Sequence, residues 1–169
     1  RVQSPAQVCD LYIVNTCTVT AESDRKSCQI IRRALRRNPK AWILVTGCLA
    51  QVSPERIAAI PGVDFVCGNS EKLAVVRAAE ALAGRGRKNA SPELHCAPPD
   101  AHGFEPMRIS RFARTRAYIK IEDGCENRCA YCIIPAARGR VRSKLPEEVL
   151  AEAGRLTAAG CRELVLTGI

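Results

Sequence analysis

Between residues 10 and 82, short apolar runs alternate with longer amphipathic ones: Leu11 to Val14, Glu22 to Asn38, Trp42 to Val45, Pro54 to Ile60, Val63 to Val66 and Glu71 to Leu82. The short runs have the length and composition of strands, and most of the longer ones have the length of helices. Strand and helix in strict alternation predict a parallel sheet with helical crossovers, so the expected fold is α/β and Rossmann-like in this half. Each apolar run ends in polar or glycine punctuation, at Asn15-Thr16-Cys17, Thr46-Gly47-Cys48 and Cys67-Gly68-Asn69. These residues belong to the carboxyl ends of the strands, where open α/β sheets build their sites.

The stretch from Gly84 to about Phe104 holds Gly-Arg-Gly-Arg-Lys, Ser91-Pro92, Pro98-Pro99 and both histidines, with no apolar period, and reads as a linker. A second unit opens with the strand-like Ala117 to Ile121, passes through a cysteine-rich loop, and continues with a helix from about Pro146 to Ala159 and a strand at Leu164 to Leu166. Val149, Ala153 and Leu156, with Leu150 alongside, form the expected buried face of that helix. Pro146 suits its first turn and Gly160 the position past its end. The expected organisation is therefore a domain over 1–83, a linker over 84–112, and the βαβ opening of another parallel sheet over 113–169. The chain starts at Arg1 and stops straight after a strand-like run, so it reads as a piece of a longer protein cut at both ends.

Lysine and arginine outnumber aspartate and glutamate by 26 to 17, a net charge of +9 that points to a polyanionic partner such as nucleic acid. No apolar run is long enough for a membrane span and no export signal is present, so a cytoplasmic location is expected and no membrane partner. Ten cysteines in 169 residues then call for metal or redox chemistry rather than disulfides.

Gly124-Cys125-Glu126-Asn127-Arg128-Cys129-Ala130-Tyr131-Cys132 has the spacing Cys-x3-Cys-x2-Cys in a loop after a predicted strand. Three thiolates on one short loop can hold three corners of a [4Fe-4S] cube and leave the fourth iron open for the amino and carboxylate groups of a methionine derivative. The alternative is a structural zinc site, which closes with four ligands and usually shows two Cys-x2-Cys pairs. Here only Cys129 and Cys132 make such a pair. At the other end of the chain, Cys17 and Cys48 terminate two successive predicted strands. Neighbouring strands lie about 5 Å apart, so these thiols can converge on one rim. Each taken alone reads as a structural cysteine; their equivalent placement favours a shared site.

The three-cysteine spacing, with the aromatic Tyr131 before the last cysteine, resembles the radical S-adenosylmethionine superfamily, whose core is a (β/α) partial barrel. The longer stretch YIKIEDGCENRCAYCIIPAARGRVRS resembles, more narrowly, the methylthiotransferases, with Pro135, Arg138, Gly139, Arg142 and Ser143 in matching places and Ala136 where a bulky aromatic is expected. The resemblance implies that Cys125, Cys129 and Cys132 ligate a cluster that binds S-adenosylmethionine, with Tyr131 beside the cofactor. It also implies a second [4Fe-4S] cluster, held by Cys17 and Cys48 and by a third cysteine ahead of this chain. Cys9 lies about 25 Å of extended chain from Cys17, at the opposite end of the strand. Cys67 is at the matching rim, with buried packing its expected role, and Cys28, Cys96 and Cys161 have no metal-ligand context. In such enzymes the radical cluster cleaves S-adenosylmethionine, the resulting 5′-deoxyadenosyl radical removes hydrogen from an unactivated carbon, and sulfur is inserted with help from the second cluster. A second S-adenosylmethionine supplies the methyl group.

NTCTVTAESDRKS together with YCIIPAARGRVRS is most similar to the branch that modifies N6-threonylcarbamoyladenosine at position 37 of tRNA, which implies contact with the anticodon loop. The isopentenyladenosine and ribosomal-protein branches are the alternatives, and a zinc-stabilised basic RNA-binding module is the alternative of another class. Neither the reductant nor the sulfur donor is legible, and the piece on its own is expected to be inactive. Independently of the resemblance, Arg32, Arg33, Arg36 and Arg37 form basic stripes beside the apolar stripe Cys28, Ile31 and Leu35 on the first helix. Such stripes suit contact with tRNA phosphates, although charge runs more often serve as a solvated face. Aromatic residues are only 4% of the chain, which argues against broad base stacking.

Overall fold

The computed structural model describes residues 7–82, 91–99, 101, 103–105 and 115–169. Strands β1 (Leu11–Thr16), β2 (Trp42–Gly47), β3 (Phe65–Cys67) and β4 (Glu93–His95) pair in that order, all parallel. The crossovers are α1 (Ala21–Arg37) after β1, and the short α2 (Cys48–Val52) and α3 (Pro54–Ala58) after β2. A 3-10 turn at Asn69–Glu71 follows β3 and leads into α4 (Lys72–Leu82).

All six residues of β2 are buried, whereas β1 alternates. An inner parallel strand has helices on both faces, and β2 divides its side chains between two cores accordingly. Ile43 and Val45 pack with Tyr12, Val14 and Ile31 on the α1 side, while Trp42 and Leu44 pack with Phe65, Val75 and Leu82 on the α4 side. Fully burying each such aliphatic side chain contributes about 1.5–3 kcal/mol. Helix α1 starts where the Thr20 hydroxyl accepts from the Ser23 amide at 3.1 Å. Glu22 and Asp24 in its first turn and Arg36 and Arg37 in its last complement its dipole.

The stretch expected to be a linker contains β4, which the sequence reading missed. Asp64, 2% exposed, brings it in: its carboxylate accepts from the Ile43 amide at 2.8 Å, and its carbonyl accepts from the Glu93 amide at 3.0 Å. The expected domain boundaries near residues 83 and 112 lie outside the described residues.

After β5 (Arg116–Lys120) come β6 (Glu122–Asp123), the cysteine loop, α5 (Ile134–Arg138), β7 (Arg142–Ser143), α6 (Pro146–Ala158) and β8 (Glu163–Thr167). β5 and β8 are parallel neighbours, as the βαβ reading requires, and β6 and β7 form a small antiparallel ladder. Leu156 is buried against Ala117, Ile119 and Cys161, with Val149 and Ala153 packed beside it. Leu150 departs from expectation at 72% exposed. It lies about 100° round the helix from Val149, and the inward place one turn on is taken by Glu152, which pairs with Lys144. Only 2% of the Glu152 side chain and 8% of the Lys144 side chain are exposed.

Removing one partner of a buried ion pair strands the other charge. Glu152→Ala should therefore lower the unfolding free energy by about 3–5 kcal/mol in denaturant titration, while the double change Lys144→Met with Glu152→Leu should cost much less.

Candidate functional site

β1 and β2 run in register to their ends, Thr16 opposite Gly47, so Cys17 and Cys48 each stand one residue beyond the last pair. The Thr16 hydroxyl locks this rim by donating to the Thr46 carbonyl at 2.7 Å and accepting from the Ala50 amide at 3.3 Å. Gly47 has φ 103°, and a Cβ there would collide with the Thr16 backbone. Only glycine allows β2 to turn this sharply into α2 with Cys48 at its start. Cys17 is exposed and Cys48 is 5% exposed.

The second cysteine set is built with the same device. Gly124, φ 94°, precedes Cys125, and a Cβ on it would collide with the Arg140 carbonyl. The loop is closed at its base by the β6–β7 ladder and by the Cys125 amide donating to the Gly139 carbonyl at 3.0 Å. A turn within it joins the Cys132 amide to the Cys129 carbonyl at 3.0 Å. Cys129 is exposed, Cys125 and Cys132 are half-buried, and Tyr131 projects outward at 92% exposure.

All ten cysteines are free thiols. Among the described residues no three His, Cys, Asp or Glu side chains are gathered into a metal-binding group. The structure thus places Cys125, Cys129 and Cys132 on one loop without gathering them into a three-ligand group, and Cys17 and Cys48 on one rim. As a donor set, three uncommitted thiols on a tethered, partly exposed loop fit the requirement for iron ligation.

The other cysteines are engaged elsewhere. The Cys67 thiol, fully buried, donates to the Glu71 carbonyl at 2.9 Å, and burial, reinforced by the Glu71 carboxylate, pushes its pKa up to about 12. Cys96 is pushed up to about 11 by burial and then by Glu71. Both shifts disfavour the thiolate, the form that is nucleophilic and ligates metal. Cys28 and Cys161 are core residues, and Cys9 sits before β1, its amide on the Tyr12 hydroxyl.

Three polar residues that the sequence reading did not single out for a role organise the site. Asp123, immediately before Gly124, accepts from Lys120 at 2.7 Å and from Arg138 at 2.9 Å, with Arg142 at 3.9 Å. Burial opposes its charge, but Lys120 and Arg138 still hold its carboxyl below the usual range. Arg138 is raised in turn: burial pulls it down, and Asp123 together with the neighbouring Cys48 more than offsets this. Asn69 donates from one amide nitrogen to both the Cys48 sulfur at 3.3 Å and the Ala137 carbonyl at 2.9 Å. The amino-terminal rim is thereby joined to α5, which follows the three-cysteine loop. The sequence signal available for Asp123 was a carboxylate directly ahead of Gly-Cys, and for Asn69 its place in the punctuation after the third apolar run.

A cavity of about 460 Å³ opens between the two units, with Asn15, Thr46 and Asn69 on one wall and Tyr118, Lys120 and Arg142 on the other. Lys72 also lines it, its pKa lowered by burial and then by Lys120. Arg32, Arg33, Arg36 and Arg37 are all exposed along α1. Among the described residues, no helix is long and apolar enough to cross a membrane.

Residues 1–68 match the uncharacterized protein family UPF0004, and residues 119–169 match the radical SAM superfamily. The threonylcarbamoyladenosine tRNA methylthiotransferase MtaB of Bacillus subtilis is 46% identical over 96% of this chain, and that of Aquifex aeolicus is 38% identical over 99%. The ribosomal protein uS12 methylthiotransferase RimO of Thermus thermophilus is 39% identical over 93%. The chain spans 36%, 40% and 33% of the lengths of these three relatives. The solved structure of the radical S-adenosylmethionine methyltransferase TsrM from Kitasatospora setae aligns with 96% of this chain and 37% of its own, at TM-score 0.54 and 21% identity, a likeness of fold alone.

Asp123 supplies a test by pH. A carboxylate whose folded pKa is depressed contributes stability that is fully present above its unfolded value and is lost as pH falls through the folded one. Asp123→Asn should lower the unfolding free energy at neutral pH by about 3 kcal/mol, since it breaks a mostly buried pair. In urea titrations at a series of pH values, the gap to wild type should narrow below about pH 4.

Proposed function

Since residues 1–68 fall in the UPF0004 family and residues 119–169 in the radical SAM superfamily, with methylthiotransferases similar along nearly the whole chain, we propose that this chain is the cluster-binding part of a radical SAM enzyme that adds a methylthio group to C2 of N6-threonylcarbamoyladenosine at position 37 of tRNA. The observation that carries the reading is the joining of the Cys48 rim to the segment behind the Cys125–Cys132 loop through Asn69. Sulfur insertion needs a radical generator and a sulfur-handling centre beside one substrate carbon, and the Asn69 contacts hold the Cys48 rim against the helix that follows the other cysteine set.

In this reading Cys125, Cys129 and Cys132 hold one [4Fe-4S] cluster, and Cys17 and Cys48 contribute to another. The first, with S-adenosylmethionine bound, supplies one-electron radical chemistry. The protein's own part is placement. Gly124 and the Asp123 ion pairs fix the base of the loop, and Tyr131 at the loop tip is free to cover the cofactor.

For the substrate, two observations favour tRNA: the Bacillus relative at 46% identity, and the exposed arginines of α1, which suit contact with phosphates near the anticodon loop without reading bases. The Thermus relative at 39% identity supports a second reading, a ribosomal-protein side chain. A cytoplasmic location accords with either substrate.

The full-length protein, purified without oxygen and reconstituted with iron and sulfide, should be brown. Given reductant and S-adenosylmethionine, it should methylthiolate tRNA carrying N6-threonylcarbamoyladenosine, read by nucleoside mass spectrometry. Ala at Cys125, Cys129 or Cys132 should abolish cofactor cleavage; Ala at Cys17 or Cys48 should abolish methylthiolation and spare cleavage. Modification of uS12 alone would establish the second reading, and a colourless tRNA-binding protein would establish a zinc-stabilised binding module.

A further inference from the structure

Asn69 is 8% exposed, and its backbone amide donates to the Gln51 side-chain carbonyl at 2.8 Å. Gln51 is itself oriented, because its amide nitrogen donates to the Ala97 carbonyl at 3.0 Å. The orientation of the Asn69 side chain is likewise forced. The Ala137 carbonyl can only accept, so the Asn69 amide nitrogen must face it. The same nitrogen reaches the Cys48 sulfur, which therefore receives a hydrogen bond. Cys48 is 5% exposed, so water competes little for that sulfur.

We propose that Asn69 is a positioning residue for the amino-terminal cluster: its amide fixes the Cys48 sulfur against the radical SAM unit and, by donating to it, raises the reduction potential of the cluster bound there. This deepens the function proposed above and rests on Cys48 being a cluster ligand. Hydrogen bonds to ligand sulfurs favour the reduced, more negative state of an iron–sulfur centre, so their loss moves the potential down. Asn69 thus couples the electronic state of one centre to the docking of the unit that carries the other.

The test uses the full-length protein with Cys125, Cys129 and Cys132 all replaced by Ala, so that one cluster remains and can be titrated by electron paramagnetic resonance. Asn69→Leu keeps most of the volume and removes the donor; Asn69→Asp keeps the shape and adds negative charge. Both should shift the midpoint potential to more negative values, Asn69→Asp further. Selective loss of this cluster's iron on changing Asn69 in the otherwise unaltered protein, with the radical cluster retained, is the stronger form of the same result. An unchanged potential in both variants, with normal iron content, would overturn the proposal while leaving the cluster reading intact. Unchanged iron on Cys48→Ala would overturn the cluster reading, and this inference with it.

Discussion

The carboxylate of Asp123 is the contact on which the geometry of the site hangs. It sits at the base of the cysteine loop with little access to water, and it is stable there only because Lys120 and Arg138 surround it. Meeting that requirement ties β5, β6 and α5 together, and Asn69 holds α5 against Cys48 in the other unit. One buried charge thus fixes the base of the loop.

The two cysteine sets share a backbone solution. In each, a glycine in the left-handed region precedes the first cysteine of the segment and passes so close to neighbouring backbone that a Cβ has no room. Gly47 turns a strand into a helix and Gly124 turns a strand into a loop. In both cases the cysteine follows the carboxyl end of a strand, β2 of the parallel sheet for Cys48 and β6 of the small antiparallel ladder for Cys125. The sulfurs are displayed by rigid strands, while the parts that must close around a ligand are short.

Periodicity made most of the framework legible in the sequence. β1, β2, α1, α6 and β8 were placed within a residue or two, the helices because each packs one regular face and the strands because each is a short apolar run closed by polar or glycine residues. β4 was not, since Glu93-Leu94-His95 carries no apolar alternation and joins the sheet through the Asp64 backbone, a long-range contact. Leu150 was assigned to the core on hydrophobicity, yet the helix phase and the buried Lys144–Glu152 pair exclude it. At the site, spacing singled out Cys125, Cys129 and Cys132 and strand-end placement singled out Cys17 and Cys48 as candidates, and the expectation that Cys67 packs as a core thiol agrees with its burial. The parts played by Asn69 and Arg138 stayed hidden. Their importance lies in partners far away in sequence, such as Cys48 and Ala137, and no local pattern encodes that.

In the proposed function the two cysteine sets serve one site, joined by Asn69, which donates to both the Cys48 sulfur and the Ala137 carbonyl. Electron paramagnetic resonance of the reduced, fully reconstituted full-length protein tests this most directly. Two clusters serving one site should interact magnetically, giving a broadened spectrum that collapses to a simple one-cluster signal when either cysteine set is replaced by Ala. Two sharp, additive signals, each indifferent to loss of the other, would contradict it.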